Sequence, residues 1–352
     1  MRRVSPFSTL PVPLDIEPME AKLADELPEG QGWQFEPKWD GFRCLAFRSG
    51  DAVELKAKSG KPLGRYFPEL VAGLASLRQD RFVLDGELAI VKDGEFSFDA
   101  LLARLHPAES RVRLLSEETP AIFILFDMLA DASGASLMEA PLSERRAALE
   151  HFFARTKRDQ SLKLSPYSLK IKDAREWLAQ GGAALDGVVA KLRNGPYLPG
   201  ERAMLKVKQY RTADCVVGGF RYRAGSDEVG SLLLGLYDAE GRLHHVGFTA
   251  TIYNKDRAAL TAKLNALEAP PGFTGNAPGG KSRWSSGKTE SWVPVRPELV
   301  VEVSYDQVTG DRFRHGTKLM RFRPDKAPRQ CTLEQIEPGT AQARLIAEML
   351  KG

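Results

Sequence analysis

The sequence contains little cysteine and no long apolar run. Its 352 residues include 3 cysteines, Cys44, Cys215 and Cys331, which lie far apart. That number and spacing exclude a disulfide framework and a Cys-x-x-Cys zinc site, and they favour a reducing cytoplasm. No apolar run approaches the roughly 18 residues that a bilayer-spanning helix needs, and the N-terminal residues lack the continuous apolar stretch of an export signal. We therefore expect a cytoplasmic protein without a membrane partner.

A large excess of one charge is also missing, because the formal net charge is only +4. Such a value is weak support for a polyanionic partner, but the charge is unevenly distributed. Residues 312–329 contain one acid, Asp325, and the cations Arg312, Arg314, Lys318, Arg321, Arg323, Lys326 and Arg329. This stretch predicts a surface that meets phosphate groups.

The length and the sequence patterns predict two domains. A chain of 352 residues can bury two ordinary cores without help from disulfides. Up to about residue 210, runs typical of strands, such as RFVLDGELAIV and AIFILFDML, are mixed with helical stretches such as SERRAALEHFFAR and DAREWLAQGG. We therefore predict an α+β domain around antiparallel sheet over residues 1–210.

After residue 210 the pattern consists mostly of strands and turns, with one helical stretch, NKDRAALTAKLNAL. Residues 238–241, Asp-Ala-Glu-Gly, lie between two apolar runs and predict a hairpin turn. About five short strands with one helix fit an all-β OB-fold, which we place at residues 211–352. Residues 270–291, rich in Gly, Pro, Ser and Lys, predict an exposed loop.

Lys38 is the candidate nucleophile. It lies in the segment EPKWDGFR, residues 36–43, near a glycine and five positions before Arg43. A lysine is a nucleophile only when its amine is deprotonated, which burial or neighbouring cations favour. The Lys-x-Asp-Gly pattern alone is more typical of a surface turn in which the lysine is solvated.

Five further segments change this interpretation. They are residues 84–87 (LDGE), 123–127 (FILFD), 186–191 (DGVVAK), 206–208 (KVK) and 323–326 (RPDK). In this order they resemble the nucleotidyltransferase motifs of ATP-dependent DNA ligases and mRNA capping enzymes. Together with GRYFPEL, YLPG, MLKVK and RFRH, they resemble more narrowly the small bacterial DNA ligases of the LigC type, relatives of the ligase domain of LigD. The resemblance covers nearly the whole chain and implies an α+β nucleotidyltransferase (adenylation) domain followed by an all-β OB-fold domain.

The resemblance implies an ATP-dependent DNA ligase that acts on nicked or broken duplex DNA in repair. Lys38 would attack the α-phosphate of ATP, expel pyrophosphate and carry AMP, which passes to a 5′-phosphate before a 3′-hydroxyl displaces it. Lys206 and Lys208, two positions apart in a strand, point to one face and can contact the same phosphate. Glu87 and Asp186 are the acids expected to hold Mg²⁺ or Mn²⁺.

The resemblance also assigns residues to the nucleotide and to the DNA. Phe126 would stack on adenine, and Phe123 should point away from it because strand positions three apart face opposite sides. The other nucleotide contacts are Glu36 near the adenine amino group, and Arg323, Asp325 and Lys326 at the β- and γ-phosphates, which implies a domain movement. As an alternative to holding the metal, Glu87 would bind the ribose, with Arg43 nearby. The DNA contacts are Lys58, Arg65, Arg312, Arg314, Lys318 and Arg321.

Two positions depart from the family pattern. Asp186 stands where many relatives have Glu, and Lys58-Ser59-Gly60 replaces Arg-Asn-Gly, which removes a bidentate phosphate contact. An RNA ligase and a GTP-using capping enzyme remain alternatives because they share the lysine chemistry, and a noncatalytic OB-type nucleic-acid-binding protein is the alternative from another class. We expect a nucleoid-associated monomer, and a Ku-like or primase-polymerase partner is left open.

Overall fold

The computed structural model describes residues 5–92, 94–156, 160–180, 185–279 and 291–337. Residues 280–290 of the predicted loop and residues 338–352 at the end of the predicted second domain lie outside the described residues. The chain divides into two compact units, of which the second begins at Tyr210. Within the described ranges, no helix is long and apolar enough to cross a membrane.

The first unit contains two sheets and five α-helices in its described residues. Its strands are β1 (Ala21–Leu23), β2 (Trp33–Trp39), β3 (Phe42–Ser49), β4 (Ala52–Ala57), β5 (Arg81–Lys92), β6 (Glu95–Phe96), β7 (Ala121–Ala130), β8 (Leu162–Leu164), β9 (Leu185–Leu192) and β10 (Met204–Val207). Its helices are α1 (Pro68–Ser76), α2 (Phe98–Ala103), α3 (Glu109–Glu118), α4 (Leu142–Ala154) and α5 (Ile171–Gln180).

The larger sheet has the order β4-β3-β5-β7-β8 with β6 paired to β5, and the smaller sheet has the order β1-β10-β9-β2. The pairs β1–β10 and β7–β8 are parallel, whereas the other pairs are antiparallel. The predicted α+β class is therefore confirmed, and the two parallel pairs are features that the sequence patterns did not predict.

Strand β7 lies in the interior of the larger sheet because its sequence can be buried on both faces. All of its residues except Ile122 are buried, as a nearly continuous apolar run permits. Phe123 packs in one apolar cluster with Phe152 of α4. Ile124, on the other face, packs in a second cluster with Trp39 of β2 and Leu185 of β9. The two sheets therefore meet beside the end of β2 that carries Lys38.

Buried arginines fix two of the helices to the larger sheet. Arg48 of β3 donates to the carbonyl oxygens of Leu74 and Leu77 at 2.6 and 2.8 Å, and so satisfies acceptors at the C-terminal end of α1. Arg145 of α4 donates two hydrogen bonds to Asp127 of β7, at 2.8 and 3.0 Å. The aspartate of the FILFD segment therefore has a structural role.

The second unit is a barrel with one α-helix in its described residues. Its strands are β11 (Arg211–Tyr222), β12 (Val229–Tyr237), β13 (Leu243–Thr249), β14 (Val293–Pro294), β15 (Val300–Tyr305), β16 (Val308–Thr309), β17 (Arg312–Phe313) and β18 (Lys318–Phe322), and its helix is α6 (Asn254–Ala266). The main sheet has the order β13-β12-β11-β15-β18, and β14 also pairs with β11.

The two edge strands of this sheet are joined through Thr249 and Thr317. The two residues form a parallel bridge, and the Thr249 hydroxyl donates to the Thr317 carbonyl oxygen at 2.9 Å. This closure agrees with the predicted OB-fold. The predicted hairpin turn is also confirmed, because Gly241 donates to the carbonyl oxygen of Asp238 between β12 and β13.

Candidate active site

The first unit contains a cavity of about 210 Å³ that is lined by residues from both of its sheets. The residues predicted from sequence that line it are Glu36, Lys38, Arg43, Lys58, Glu87, Phe126 and Lys206. Met19, Glu20 and Lys191, which the sequence analysis did not single out, line it as well. One cavity therefore contains residues that were predicted to act on the same nucleotide. They are spread over 171 positions of sequence, from Glu36 to Lys206 inclusive.

Lys38 reaches the cavity because the turn after β2 packs tightly against β5. A Cβ atom on Gly41 would collide with the carbonyl oxygen of Leu88 and with the side chain of Glu87, so the turn requires a glycine. The Lys38 Nζ lies 2.5 Å from Asp186 Oδ2 on β9. The lysine therefore pairs with the neighbouring strand of its own sheet, and its side chain lines the cavity, where its amine can meet a ligand.

Asp186 connects Lys38 with a second amine. Its Oδ1 lies 3.1 Å from the Nζ of Lys208, directly after β10. The neighbouring Gly187 has φ +132°, and a Cβ atom there would collide with the backbone of Val207 and Lys208. The glycine of this Asp-Gly pair therefore permits the close approach of β9 to β10 that places Asp186 beside both lysines.

Lys206 adds a third amine to this group. It lies on β10 and lines the cavity. Burial, followed by the positive charges of Lys38 and Lys208, lowers the pKa of Lys206. Three lysine amines therefore lie close enough to influence one another, which is the environment that phosphate binding requires.

Glu87 of β5 is the second carboxylate near Lys38. Burial raises the pKa of Glu87 to about 7, although the charges of Lys38 and Arg43 oppose this shift. The part of the chain that the structure describes contains no group of three or more His, Cys, Asp or Glu side chains that could hold a metal. Glu87 and Asp186 nevertheless fit Mg²⁺, which commonly uses one or two carboxylates and completes its shell with water and phosphate oxygens.

Arg43 is held by a network that the sequence analysis missed. Its Nε and Nη2 donate to Asp85 Oδ1 and Oδ2 at 2.5 and 2.6 Å. The Tyr197 hydroxyl donates to Asp85 at 2.7 Å and accepts a hydrogen bond from the backbone of Met19. Asp85 lies within the LDGE segment and Tyr197 within YLPG, so both were in recognised segments although no role had been assigned to them.

Phe126 lies beside two cations. The Arg43 guanidinium carbon and the Lys191 Nζ lie 4.6 and 4.7 Å from its ring centroid. Lys191 also forms a buried ion pair with Glu36 at 2.7 Å. Phe123 has no exposed surface and lies in the core, as the alternation of strand positions predicted. Phe126 and Glu36, which were both predicted to contact adenine, therefore line the cavity together with Arg43 and Lys191.

The remaining two predicted contacts of the first unit lie at different places. Lys58 follows β4, lines the cavity and pairs with Glu20 at 2.8 Å. Arg65 is exposed, donates to the Pro107 carbonyl oxygen at 2.9 Å and does not line the cavity.

The predicted residues of the second unit form two groups, one gathered in a turn and one with separate partners. Arg323, Asp325 and Lys326 lie in a turn after β18, where Arg323 and Lys326 both contact Asp214. The four predicted DNA contacts are distributed over the same unit: Arg312 donates to His245 Nδ1 at 3.0 Å, Arg314 to Gln307 at 2.7 Å and Arg321 to Glu302 at 2.6 Å, and Lys318 is exposed on β18.

Comparison with known proteins places these units in one family. Residues 18–208 match the family model "ATP dependent DNA ligase domain", and residues 225–326 match the model "ATP dependent DNA ligase C terminal region". DNA ligase C1 of Mycolicibacterium smegmatis is 44% identical over 347 residues, which cover 93% of this chain and 95% of that protein. DNA ligase C of Mycobacterium tuberculosis is 43% identical over 348 residues, with 93% and 95% coverage.

A solved structure of the ligase domain of M. tuberculosis LigD is 28% identical, covers 91% of this chain and 98% of that domain, and gives a TM-score of 0.46. The resemblance to LigC-type ligases that the motifs indicated is confirmed by the sequence comparisons. Since one family model spans more than half of the chain and the relatives align over nearly all of it, the chain belongs to the ATP-dependent DNA ligases.

Proposed function

We propose that this DNA ligase seals breaks between a 5′-phosphate and a 3′-hydroxyl in duplex DNA by carrying AMP on Lys38, and that it serves DNA repair. The observation that carries the proposal is that Lys38, Lys206 and Glu87 line one cavity of the first unit, while Asp186 pairs with both Lys38 and Lys208. These groups are the ones that phosphoryl transfer requires, because the reaction depends on positioning and on neutralising negative charge.

In the charging step, the Lys38 amine attacks the α-phosphorus of ATP. A P–N bond forms, the bond from the α-phosphorus to the bridging oxygen breaks, and pyrophosphate leaves with the electron pair. The amine has to lose a proton, and Asp186 Oδ2 at 2.5 Å is placed to accept it. Lys206 and Lys208 neutralise the phosphate oxygens, and Arg323, Asp325 and Lys326 of the second unit act at the β- and γ-phosphates.

The reaction also requires Mg²⁺ or Mn²⁺, which Glu87 and Asp186 would hold. When bound, the metal supplies positive charge to the phosphate oxygens. Phe126 stacks on adenine, Glu36 lies near the adenine amino group, and Arg43 acts near the ribose, where contact by Glu87 is the alternative to its role at the metal. The role of Glu36 at the adenine is supported by its ion pair with Lys191, whose Nζ lies 4.7 Å from the centroid of the Phe126 ring.

The next two steps use the adenylate on DNA. AMP passes from Lys38 to the 5′-phosphate, and the 3′-hydroxyl then attacks that phosphate and releases AMP. The contacts to the DNA backbone are Lys58, Arg65, Arg312, Arg314, Lys318 and Arg321.

We place the adenylation domain at residues 1–210 and the OB-fold domain at residues 211–352. The enzyme acts as a cytoplasmic, nucleoid-associated monomer, and a Ku-like or primase-polymerase protein is the partner class to test by co-purification.

A covalent labelling experiment tests the proposal. The protein is incubated with Mg²⁺ and ATP labelled at the α-phosphate, separated on a denaturing gel, and the labelled peptide is identified by mass spectrometry. We expect an adenylyl group on Lys38, which Lys38→Ala abolishes and Lys22→Ala, a change of an exposed lysine on β1, leaves intact. Label that persists in Lys38→Ala, or label only from GTP, contradicts the proposal.

The acceptor is tested separately with nicked substrates. A duplex with one nick in DNA should be joined in the presence of ATP and Mg²⁺, and the same duplex with the nicked strand made of RNA should be joined less efficiently. Preferential joining of the RNA strand would identify an RNA ligase instead.

A further inference from the structure

The turn that carries Arg323 and Lys326 is bound to a pair of acids in the second unit. The backbone N–H of Arg323 donates to the carbonyl oxygen of Val300 on β15, and that of Lys326 donates to the carbonyl oxygen of Arg323. The second bond closes a four-residue turn with proline at its second position, which the fixed φ of proline favours. The turn therefore places both cationic side chains together next to the sheet.

Asp214 of β11 binds both of these cations. Its Oδ1 accepts a hydrogen bond from Arg323 Nη1 at 2.8 Å, and its Oδ2 lies 3.3 Å from Lys326 Nζ. Asp214 is only 9% exposed. Its backbone is held by Gln335, whose side chain accepts from the Asp214 N–H at 3.0 Å and donates to its carbonyl oxygen at 3.1 Å. The carboxylate is therefore fixed before any phosphate arrives.

Glu302 lies directly across from Asp214 in the pairing of β11 with β15. Two like charges in such a position destabilise a sheet unless cations lie between or beside them. Arg323 Nη1 lies 3.6 Å from Glu302, and Arg321, which faces Glu302 on β18, pairs with it at 2.6 Å. The negative charges of Asp214 and Glu302 are thus neutralised by neighbouring cations, and the Nη1 of Arg323 is directed toward these two carboxylates.

We infer that Asp214, with Glu302, positions Arg323 and Lys326 for the charging of Lys38. Asp214 has no contact with the reacting atoms in this role. Asp325 binds the Nε and Nη2 of Arg323, whereas Asp214 fixes its Nη1 and contacts Lys326. Since the guanidinium carries five N–H groups, some remain for a phosphate. The inference rests on the proposed function, in which these cations act only during charging.

The variant Asp214→Asn tests the inference, because it keeps the shape of the side chain and removes its charge. We expect charging of Lys38 at limiting ATP to slow by about 10- to 100-fold, since the charge of a hydrogen-bonded ion pair with Arg323 and of an ion pair with Lys326 is lost. Sealing of a nick that already carries AMP on its 5′-phosphate should change by less than about twofold, since that reaction bypasses charging. Asp214→Glu, which keeps the charge, should recover part of the charging rate.

Asp238→Asn is the matched control. Asp238 lies in the same unit and pairs with Arg242 at 2.7 Å and with His244 at 2.6 Å, but it belongs to the turn between β12 and β13. This control should charge and seal like the parent protein. Thermal unfolding is recorded for every variant, and Glu302→Gln replaces Asp214→Asn in the comparison if the latter does not fold.

Two results overturn the inference alone. One is charging by Asp214→Asn at the rate of Asp238→Asn, and the other is an equal loss in charging and in the sealing of the adenylated nick, which would indicate structural damage. Absence of label on the parent protein overturns the proposed function and the inference together. A selective loss of charging supports both.

Discussion

At the scale of single residues, Phe126 offers the most direct test of nucleotide binding. Its ring centroid lies 4.7 Å from Lys191 Nζ and 4.6 Å from the Arg43 guanidinium carbon, and we propose that the ring also stacks on adenine. Phe126→Ala should raise the ATP concentration for half-maximal charging about 10-fold or more, because stacking contributes about 1 to 3 kcal/mol per base. Phe126→Tyr, which keeps the ring, should charge at near-normal ATP concentrations. Equal behaviour of the two variants would show that the ring does not contact the nucleotide.

The raised pKa of Glu87 predicts that the free energy of unfolding depends on pH. Its pKa rises from 4.5 to about 7 in the folded protein, chiefly through burial. The folded state therefore retains a proton that the unfolded chain has lost, so the stabilisation from this group is complete below the unfolded pKa and is lost as pH rises through about 7. Glu87→Gln should raise the free energy of unfolding at pH 8, without metal or nucleotide, by up to about 3 kcal/mol.

The control for this prediction is Glu117→Gln, which changes an exposed carboxylate of α3. Chemical denaturation at several pH values between about 5 and 8 gives the difference in free energy between each variant and the parent protein. For Glu87→Gln the difference should grow as the pH rises, whereas for Glu117→Gln it should stay small. A constant difference for Glu87→Gln would show that the group does not titrate as described.

The residues that sequence patterns identified are those whose segments carry recognisable chemistry, such as Lys38 and Glu87. The roles of Lys191 and Tyr197 could not be predicted because contacts between distant parts of the chain create them. Lys191 meets Glu36 only because β9 pairs with β2, and Tyr197 meets Asp85 across 112 positions of sequence. Local spacing contains no information on such contacts, since they follow from the register of the sheets for Lys191 and from the path of the connection between β9 and β10 for Tyr197.

At the scale of secondary structure, the approach of β9 to β10 depends on Gly187. An alanine there would hold a side chain at φ +132° and push its Cβ atom into Val207 and Lys208. Gly187→Ala should therefore lower the free energy of unfolding by at least about 2 kcal/mol and slow the charging of Lys38, because Asp186 and Lys208 are displaced. Denaturant unfolding and the labelling assay measure the two effects.

The variant Gly50→Ala is the control that introduces backbone strain at a positive φ without a collision of the new Cβ atom. Gly50 also has a positive φ, +62°, but a Cβ atom there would meet no atom within 4 Å. This variant should be destabilised by about 1 kcal/mol and should charge normally. If Gly187→Ala were no more harmful than Gly50→Ala, the close packing of the two strands would not be what places Asp186.

Long elements were predictable, whereas some short ones were not. The apolar runs of β5 and β7 and the helical pattern of α4 identified these elements, because each extends over at least ten residues. Helix α1 has only nine residues, and its last carbonyl groups depend on Arg48 from β3. Strand β1 has three residues and pairs in parallel with a strand more than 180 positions away. Both elements exist through tertiary contacts, which a local pattern does not contain.

At the scale of the whole molecule, the net charge of +4 is too small to attract DNA strongly, so DNA binding has to depend on local groups of cations. The basic stretch of the second unit was predicted from its composition, but composition does not show which cations already have acidic partners. Arg321 and Lys318 are both exposed on β18, but Arg321 pairs with Glu302 at 2.6 Å, whereas Lys318 has no ion pair among the described residues. The two residues should therefore contribute unequally to the binding of a polyanion.

The salt dependence of DNA affinity measures this inequality. The logarithm of the association constant for nicked duplex DNA should fall linearly with the logarithm of salt concentration, and Lys318→Ala should reduce the slope by about one. Arg321→Ala should reduce it less, because Glu302 already neutralises much of that charge and releases it only in part to a phosphate. Filter binding over a range of salt concentrations gives all three slopes. A parent protein whose affinity does not depend on salt would remove the basic stretch from the DNA interface, and equal slopes for the two variants would show that the Glu302 pair opens completely when DNA binds.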